Sequence, residues 1–165
     1  MSDLEQIDMG KRKMFTFGGS PVPQPQKTVP KAPRPPYALE ESMFARLCDG
    51  CGDCVSACPS QIIELVNGVA TLDISYSACD LCGKCQSACH TLALANSSPR
   101  TGLIATISNS CDNLYGYCAN CEESCDFGAL QWHDDLKPNI NADKCIGCGQ
   151  CAQSCYTSMI SFALR

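Results

Sequence analysis

Sixteen cysteines fall into four groups of four, with none left over. Three groups share the spacing C-x2-C-x2-C-x3-C: Cys48-Cys51-Cys54-Cys58, Cys79-Cys82-Cys85-Cys89 and Cys145-Cys148-Cys151-Cys155. The fourth, Cys111-Cys118-Cys121-Cys125, opens with a six-residue gap and then keeps the same spacing. Three thiolates two residues apart lie on one tight loop and can hold three corners of an iron–sulfur cube. The chemistry implied is electron transfer at [4Fe-4S] clusters, four in all, either by this chain or in service of a partner.

Two other uses of cysteine fit less well. Structural zinc takes two C-x2-C pairs separated by a longer span, not three evenly spaced cysteines and a fourth. A disulfide framework needs an oxidising compartment. Nothing near the N-terminus reads as an apolar secretory segment before a small-residue cleavage site. No apolar stretch approaches the length of a membrane span. The sequence also holds no phosphate-binding loop, dinucleotide fingerprint or nucleophile–base constellation. With only two histidines, independent enzymatic turnover is not expected.

Charge and proline divide the chain. Residues 1–36 carry a net charge of +3, and residues 37–165 carry −8. Iron-bound thiolates make the second part more acidic still, because a coordinating thiol is deprotonated. Such a surface excludes nucleic acid as a partner and suits proteins with basic docking faces. Residues 21–36 hold seven of the ten prolines. Proline fixes φ and lacks an amide donor, so residues 1–36 read as a disordered, basic, Pro-rich N-terminal arm.

From residue 37 the sequence repeats. The groups begin at 48, 79, 111 and 145. An apolar pair follows each last cysteine: Ile62-Ile63, Ala93-Leu94, Ala129-Leu130 and Met159-Ile160. A small residue follows each second cysteine: Gly52, Gly83, Ala119 and Gly149. Small residues there let the backbone wrap closely and point amides at sulfur. The pattern is one unit used four times, two units to a domain, with boundaries near 44–98 and 103–165.

The fold class expected is α+β, with short strands and helical turns. Ile62–Val66 and Val69–Leu72 flank Asn67-Gly68, a strong hairpin signal. Leu103–Ile107 and Met159–Leu164 read as further strands. Ala129–His133 and Leu136–Ile140 read as a second hairpin, with Pro138 marking an edge. Short helical turns are expected at Val55–Cys58 and Ala152–Cys155. Cores of this size are marginal by burial alone, so folding should be coupled to cluster binding. Trp132 reads as hairpin packing and His133 as a solvated turn residue. His90 stands where Pro59 stands in the first group and reads as an inert substitution.

The four groups, the irregular third one and the stretch Lys11-Arg12-Lys13-Met14-Phe15 together resemble the NapF-type ferredoxins, accessory proteins of the periplasmic nitrate reductase system. The resemblance implies two tandem bacterial-type ferredoxin domains, each holding two [4Fe-4S] clusters. It implies that ligation crosses within each pair. Cys48, Cys51, Cys54 and Cys89 would hold one cluster, and Cys79, Cys82, Cys85 and Cys58 its neighbour. Cys111, Cys118, Cys121 and Cys155 would hold a third, and Cys145, Cys148, Cys151 and Cys125 a fourth. It also implies a cytoplasmic protein that contacts the unexported, molybdenum-containing catalytic subunit of the reductase and aids its maturation. The alternative is an electron-transfer subunit of a larger oxidoreductase. The family's Arg-Arg pair is Lys11-Arg12 here. The patch echoes a twin-arginine signal, but Phe15-Thr16-Phe17-Gly18-Gly19 leads into prolines and not an apolar run, so export is not expected.

Overall fold

Asn67 and Gly68 hold left-handed backbone, φ 54° and 76°, and turn the chain between β1 (Ile63–Val66) and β2 (Val69–Leu72). The strands pair antiparallel from Val66↔Val69 to Ile63↔Leu72. Two positive φ values in a two-residue loop give the turn whose twist matches that of paired strands, as Asn-Gly leads one to expect. The computed structural model describes residues 31–116 and 118–165. Lys11-Arg12, most of the arm and Tyr117 lie outside the described residues.

Three short helices complete the first half. They are α1 (Glu41–Leu47), α2 (Asp53–Ala57) and α3 (Lys84–Ala88). The second half carries β3 (Leu103–Ile107), β4 (Leu130–Gln131), β5 (Asn139–Ile140), α4 (Gln150–Gln153) and β6 (Ile160–Leu164). β3 and β6 form an antiparallel ladder from Leu103↔Leu164 to Ile107↔Ile160. Both strands were legible in the sequence, but their partnership across more than fifty residues was not. The second hairpin is present in reduced form, with only Leu130↔Ile140 and Gln131↔Asn139 paired. Pro138 precedes β5 and has no amide to donate, so the ladder stops there.

The repeated apolar pairs become the core. Ile62, Ile63, Ala93 and Leu94 are buried around Phe44 and Leu72 in the first half. Ala129, Leu130 and Ile160 are buried with Ala105 in the second, while Met159 is half-buried. Each buried Leu or Ile stabilises the fold by about 1.5–3 kcal/mol. A feature invisible in the cysteine spacing sets up these pairs. The third residue after each last cysteine is left-handed: Gln61, Leu92, Gly128 and Ser158, with φ of 53°, 61°, 59° and 55°. That residue reverses the chain so that the next two side chains turn inward.

Thr101 joins the halves. It is fully buried, and its hydroxyl lies 3.0 Å from the carbonyl oxygens of both Ile146 and Gly147. Its amide donates to Ile146 O at 3.1 Å. Gly147 has φ +74°, and a Cβ there would meet Leu103 O at 2.6 Å, so glycine is required. Leu103 belongs to the first core while its strand belongs to the second half. The halves therefore pack as one body.

The expected arm of residues 1–36 ends earlier than its proline content suggested. Pro35 and Pro36 are buried, and Pro33 O accepts the Leu72 amide at 3.0 Å. Arg34 is the anchor. Its Nε and Nη2 donate to the two Glu41 carboxylate oxygens at 2.9 and 2.6 Å, and its Nη1 donates to Ala70 O at 3.0 Å. The guanidinium also lies 5.0 Å from the Phe44 ring centre. Proline here lacks amides, but the carbonyls and one arginine between them supply the contacts. Helix α1 was likewise not anticipated, and it exists to carry Glu41 and Phe44 to this anchor.

Both partners of the Arg34–Glu41 pair are buried, with side chains 11% and 8% exposed. Arg34→Ala leaves a buried carboxylate unpaired and should cost about 3 kcal/mol in denaturant unfolding of the holoprotein. The Arg34 hydrogen bonds hold Glu41 below its ordinary value of 4.5. The pair's contribution is therefore complete above that pH and is lost as pH falls through the depressed value. The variant should lose that acid-side dependence, and equal acid sensitivity in both proteins would refute the assignment.

Candidate metal centres

Helices α2 and α3 each begin from a left-handed glycine, Gly52 at φ 83° and Gly83 at φ 72°. The third cysteine of each group, Cys54 or Cys85, sits inside the helix. The fourth, Cys58 or Cys89, caps it in extended backbone, with ψ of 113° and 101°. Breaking the helix at the fourth cysteine swings that side chain away from its three predecessors. In the second half Gly149, at φ 94°, starts α4 in the same way. The helices start at or before the third cysteine, slightly earlier than the sequence indicated. The third group differs: it carries Ala119 at the equivalent position, and only a hydrogen-bonded turn follows.

Four cavities result, each lined by four cysteines. The first is bounded by Cys48, Cys51, Cys54 and Cys89, with Phe44 and Leu94 as apolar wall. The second is bounded by Cys58, Cys79, Cys82 and Cys85, against Ile62, Ile63 and Pro36. The third is lined by Cys125, Cys145, Cys148 and Cys151, with Leu130 and Phe162. The fourth is lined by Cys111, Cys118, Cys121 and Cys155, with Ile160 and Trp132. Three cysteines of one group thus meet the last cysteine of its partner in every case.

The donor chemistry fits a cubane. All sixteen cysteines are free thiols. The amides of Ala129 and Met159 donate to Cys125 Sγ and Cys155 Sγ, both at 3.3 Å. Thr91 Oγ1 lies 3.5 Å from Cys89 Sγ, and Thr157 Oγ1 lies 3.7 Å from Cys155 Sγ. Sulfur-directed donors and apolar walls are what an iron–sulfur cluster meets in a protein. Without iron, burial pushes the Cys54, Cys79 and Cys121 thiols up to about 11, and Cys85 and Cys151 to about 12. The buried thiols are therefore neutral at pH 7, and loading must expel their protons, so rising pH favours it.

The long gap of the third group is anchored at Asn113, while Leu114, Tyr115 and Gly116 are exposed. Residues Asp112–Leu114 form a 3-10 turn around Asn113, which is wholly buried. Its Nδ2 donates to His133 O at 2.9 Å and Leu136 O at 2.7 Å, and its Oδ1 accepts the Cys118 amide at 3.3 Å. Cys111 and Cys121 are buried, whereas the exposed cysteines are Cys51 and Cys82 of the regular groups. His133 thus contributes its backbone carbonyl to this knot while its ring stays exposed. No spacing rule pointed to Asn113, since two of its three partners lie twenty or more residues away. His90 is exposed, with Nε2 and Nδ1 each 3.3 Å from Asp49 and Asp53 carboxylate oxygens. Exposed pairs of this kind stabilise little.

The inner two cavities meet between the halves. The Cys79 amide donates to Cys148 O at 2.7 Å. Within each half, the stretch between the third and fourth cysteines links one cavity to its neighbour. The spatial order is the cavity of Cys48, then that of Cys79, then that of Cys148, then that of Cys111.

Comparison with known proteins bears on this geometry. Residues 47–93 and 115–160 each match a family model described as a 4Fe-4S dicluster domain. An uncharacterized protein of Haemophilus influenzae is 39% identical over 84% of this chain and 83% of its own length. The ferredoxin-type protein NapF of the same organism is 36% identical over 78% of this chain and 77% of its own. NapF of Escherichia coli is 30% identical over 78% and 82%. The chain accordingly holds two tandem dicluster domains, and its cofactors are [4Fe-4S] clusters. No helix among the described residues is long and apolar enough to cross a membrane.

Asn113→Ala removes the buried amide group that ties the His133 and Leu136 carbonyls to the Cys118 amide. It should cost about 1–3 kcal/mol and make one cluster of the set the most labile to chelator. Visible absorbance during chelation would show an early phase worth about a quarter of the signal; uniform bleaching would refute the role given to Asn113.

Proposed function

Because the chain belongs to the NapF-type family of 4Fe-4S ferredoxins, we propose that it is a cytoplasmic maturation factor. It acts on the unexported, molybdenum-containing catalytic subunit of periplasmic nitrate reductase, helping to assemble or reduce that subunit's centres. Family membership is the observation that carries this reading. The sixteen cysteines serve as iron ligands in the four crossed sets that line the cavities. The domains are 44–98, extended upstream to the Arg34 anchor, and 103–165, and residues 1–30 form the arm that engages the partner.

Bound [4Fe-4S] clusters supply reversible one-electron storage. The protein's own part is to hold, space and shield them. Phe44, Leu94, Leu130 and Phe162 keep water from the sulfurs. The Ala129 and Met159 amides present positive dipole ends to sulfur. The Cys79–Cys148 hydrogen bond gives the two halves a short contact between their inner cavities. That unbroken run of cavities favours a second reading, an electron-transfer subunit held permanently in a larger oxidoreductase.

Cys58→Ala tests the crossing. It should remove the cluster of Cys79, Cys82 and Cys85, and leave that of Cys48, Cys51 and Cys54, as read by iron content and electron paramagnetic resonance. Loss of the first cluster alone would refute crossed ligation. The maturation reading is tested by anaerobic pull-down from nitrate-respiring cells, using the full chain and one lacking residues 1–30. The full chain should recover the unexported catalytic subunit in salt-sensitive, substoichiometric amounts, and the shortened chain several-fold less at equal cluster content. A stable multisubunit complex recovered equally by both would favour the second reading.

A further inference from the structure

Trp132 directly follows β4, packs on the second core and lines the cavity of Cys111, Cys118, Cys121 and Cys155. Its indole Nε1 is shielded from solvent and has no hydrogen-bond partner, the one such side-chain atom among the described residues. An indole nitrogen is a donor only. Buried tryptophan normally finds an acceptor for it, and leaving it unpaired is costly. Every other buried polar side chain described is satisfied, so an orphan at a cavity wall is a specific omission. Trp132 lines this cavity, and a group bound there can supply the acceptor that the protein does not. Around this cavity a [4Fe-4S] cluster offers sulfur, and sulfur accepts N–H bonds.

We propose that the Trp132 indole N–H donates a hydrogen bond to a sulfur of the cluster held in this cavity and raises that cluster's reduction potential. The inference rests on reading Cys111, Cys118, Cys121 and Cys155 as one ligand set. A donor dipole aimed at sulfur stabilises the extra negative charge of the reduced state, so the potential rises. The cavity already has two further donors directed at Cys155 Sγ, the Met159 amide and the Thr157 hydroxyl. Among the described residues the first cavity has the Thr91 hydroxyl and the third the Ala129 amide. Trp132 adds a third side-chain or loop donor to this cavity, one that the other three do not have. Trp132 is a positioning and tuning residue, and it takes no part in bond making.

The test uses the full holoprotein. Trp132 is the only tryptophan, so isotopically labelled indole nitrogen marks one atom. Pulsed electron paramagnetic resonance of the partly reduced wild type should show coupling of that nitrogen to one cluster. In Trp132→Phe the same cluster's reduction equilibrium should fall roughly tenfold, about 59 mV for one electron, with the other three unmoved. A missing coupling overturns the proposal, and so does an unmoved potential. Should the phenylalanine variant lose the cluster, the coupling in wild type decides alone. Cys121→Ala separates the two claims. It should abolish the coupled signal. If the coupling persists there, the ligand set is wrong and the tryptophan assignment stands.

Discussion

Four sulfurs must converge on each cavity from two separate stretches of chain, and most of the fold is an answer to that demand. A single loop can bring three cysteines together. The fourth has to come from the neighbouring group, so neither group is complete without its partner. The helices are short for this reason. Each of α2 and α3 lasts only long enough to carry its third cysteine into one cavity and release the fourth toward the other. A longer helix would keep the fourth cysteine in helical backbone and turn it back toward its own loop.

Gathering sixteen thiols around four cavities would be a poor design without an occupant. The walls are apolar, and few polar groups reach the cavities apart from donors aimed at sulfur. The local environments are nevertheless not copies of one another. The repeated unit fixes where the sulfurs go, while single positions within it vary: two residues after each last cysteine stand Ser60, Thr91, Phe127 and Thr157, and Trp132 is the only tryptophan. Repetition secures the cofactor, and the departures from it give each site its own electronic character.

The cofactor was the most legible feature of the sequence, because thiolate spacing maps directly onto a loop. The apolar pairs and the Asn67-Gly68 hairpin were legible for the same reason, each being a local pattern with a local consequence. What escaped was non-local. The β3–β6 ladder joins strands far apart, and nothing in Leu103–Ile107 names its partner. Arg34 and Asn113 each act through backbone carbonyls, which every residue has and no sequence distinguishes. The left-handed position after each last cysteine is filled by Gln61, Leu92, Gly128 and Ser158. Three of these are residues that ordinarily avoid positive φ, so composition pointed away from the conformation that the cavities impose.

The β3–β6 ladder also sets a timetable. A ribosome makes the chain from its N-terminus, so every cysteine lining the first two cavities has been synthesised by Cys89. The second half enjoys no such early closure. β3 is synthesised soon after, yet it waits through more than fifty residues for Ile160–Leu164, and Cys111 waits more than forty for Cys155. During that interval β3 is an unpaired edge carrying Leu103 and Ala105, side chains that end up buried. The nascent molecule is thus half finished and half sticky for a defined stretch of translation.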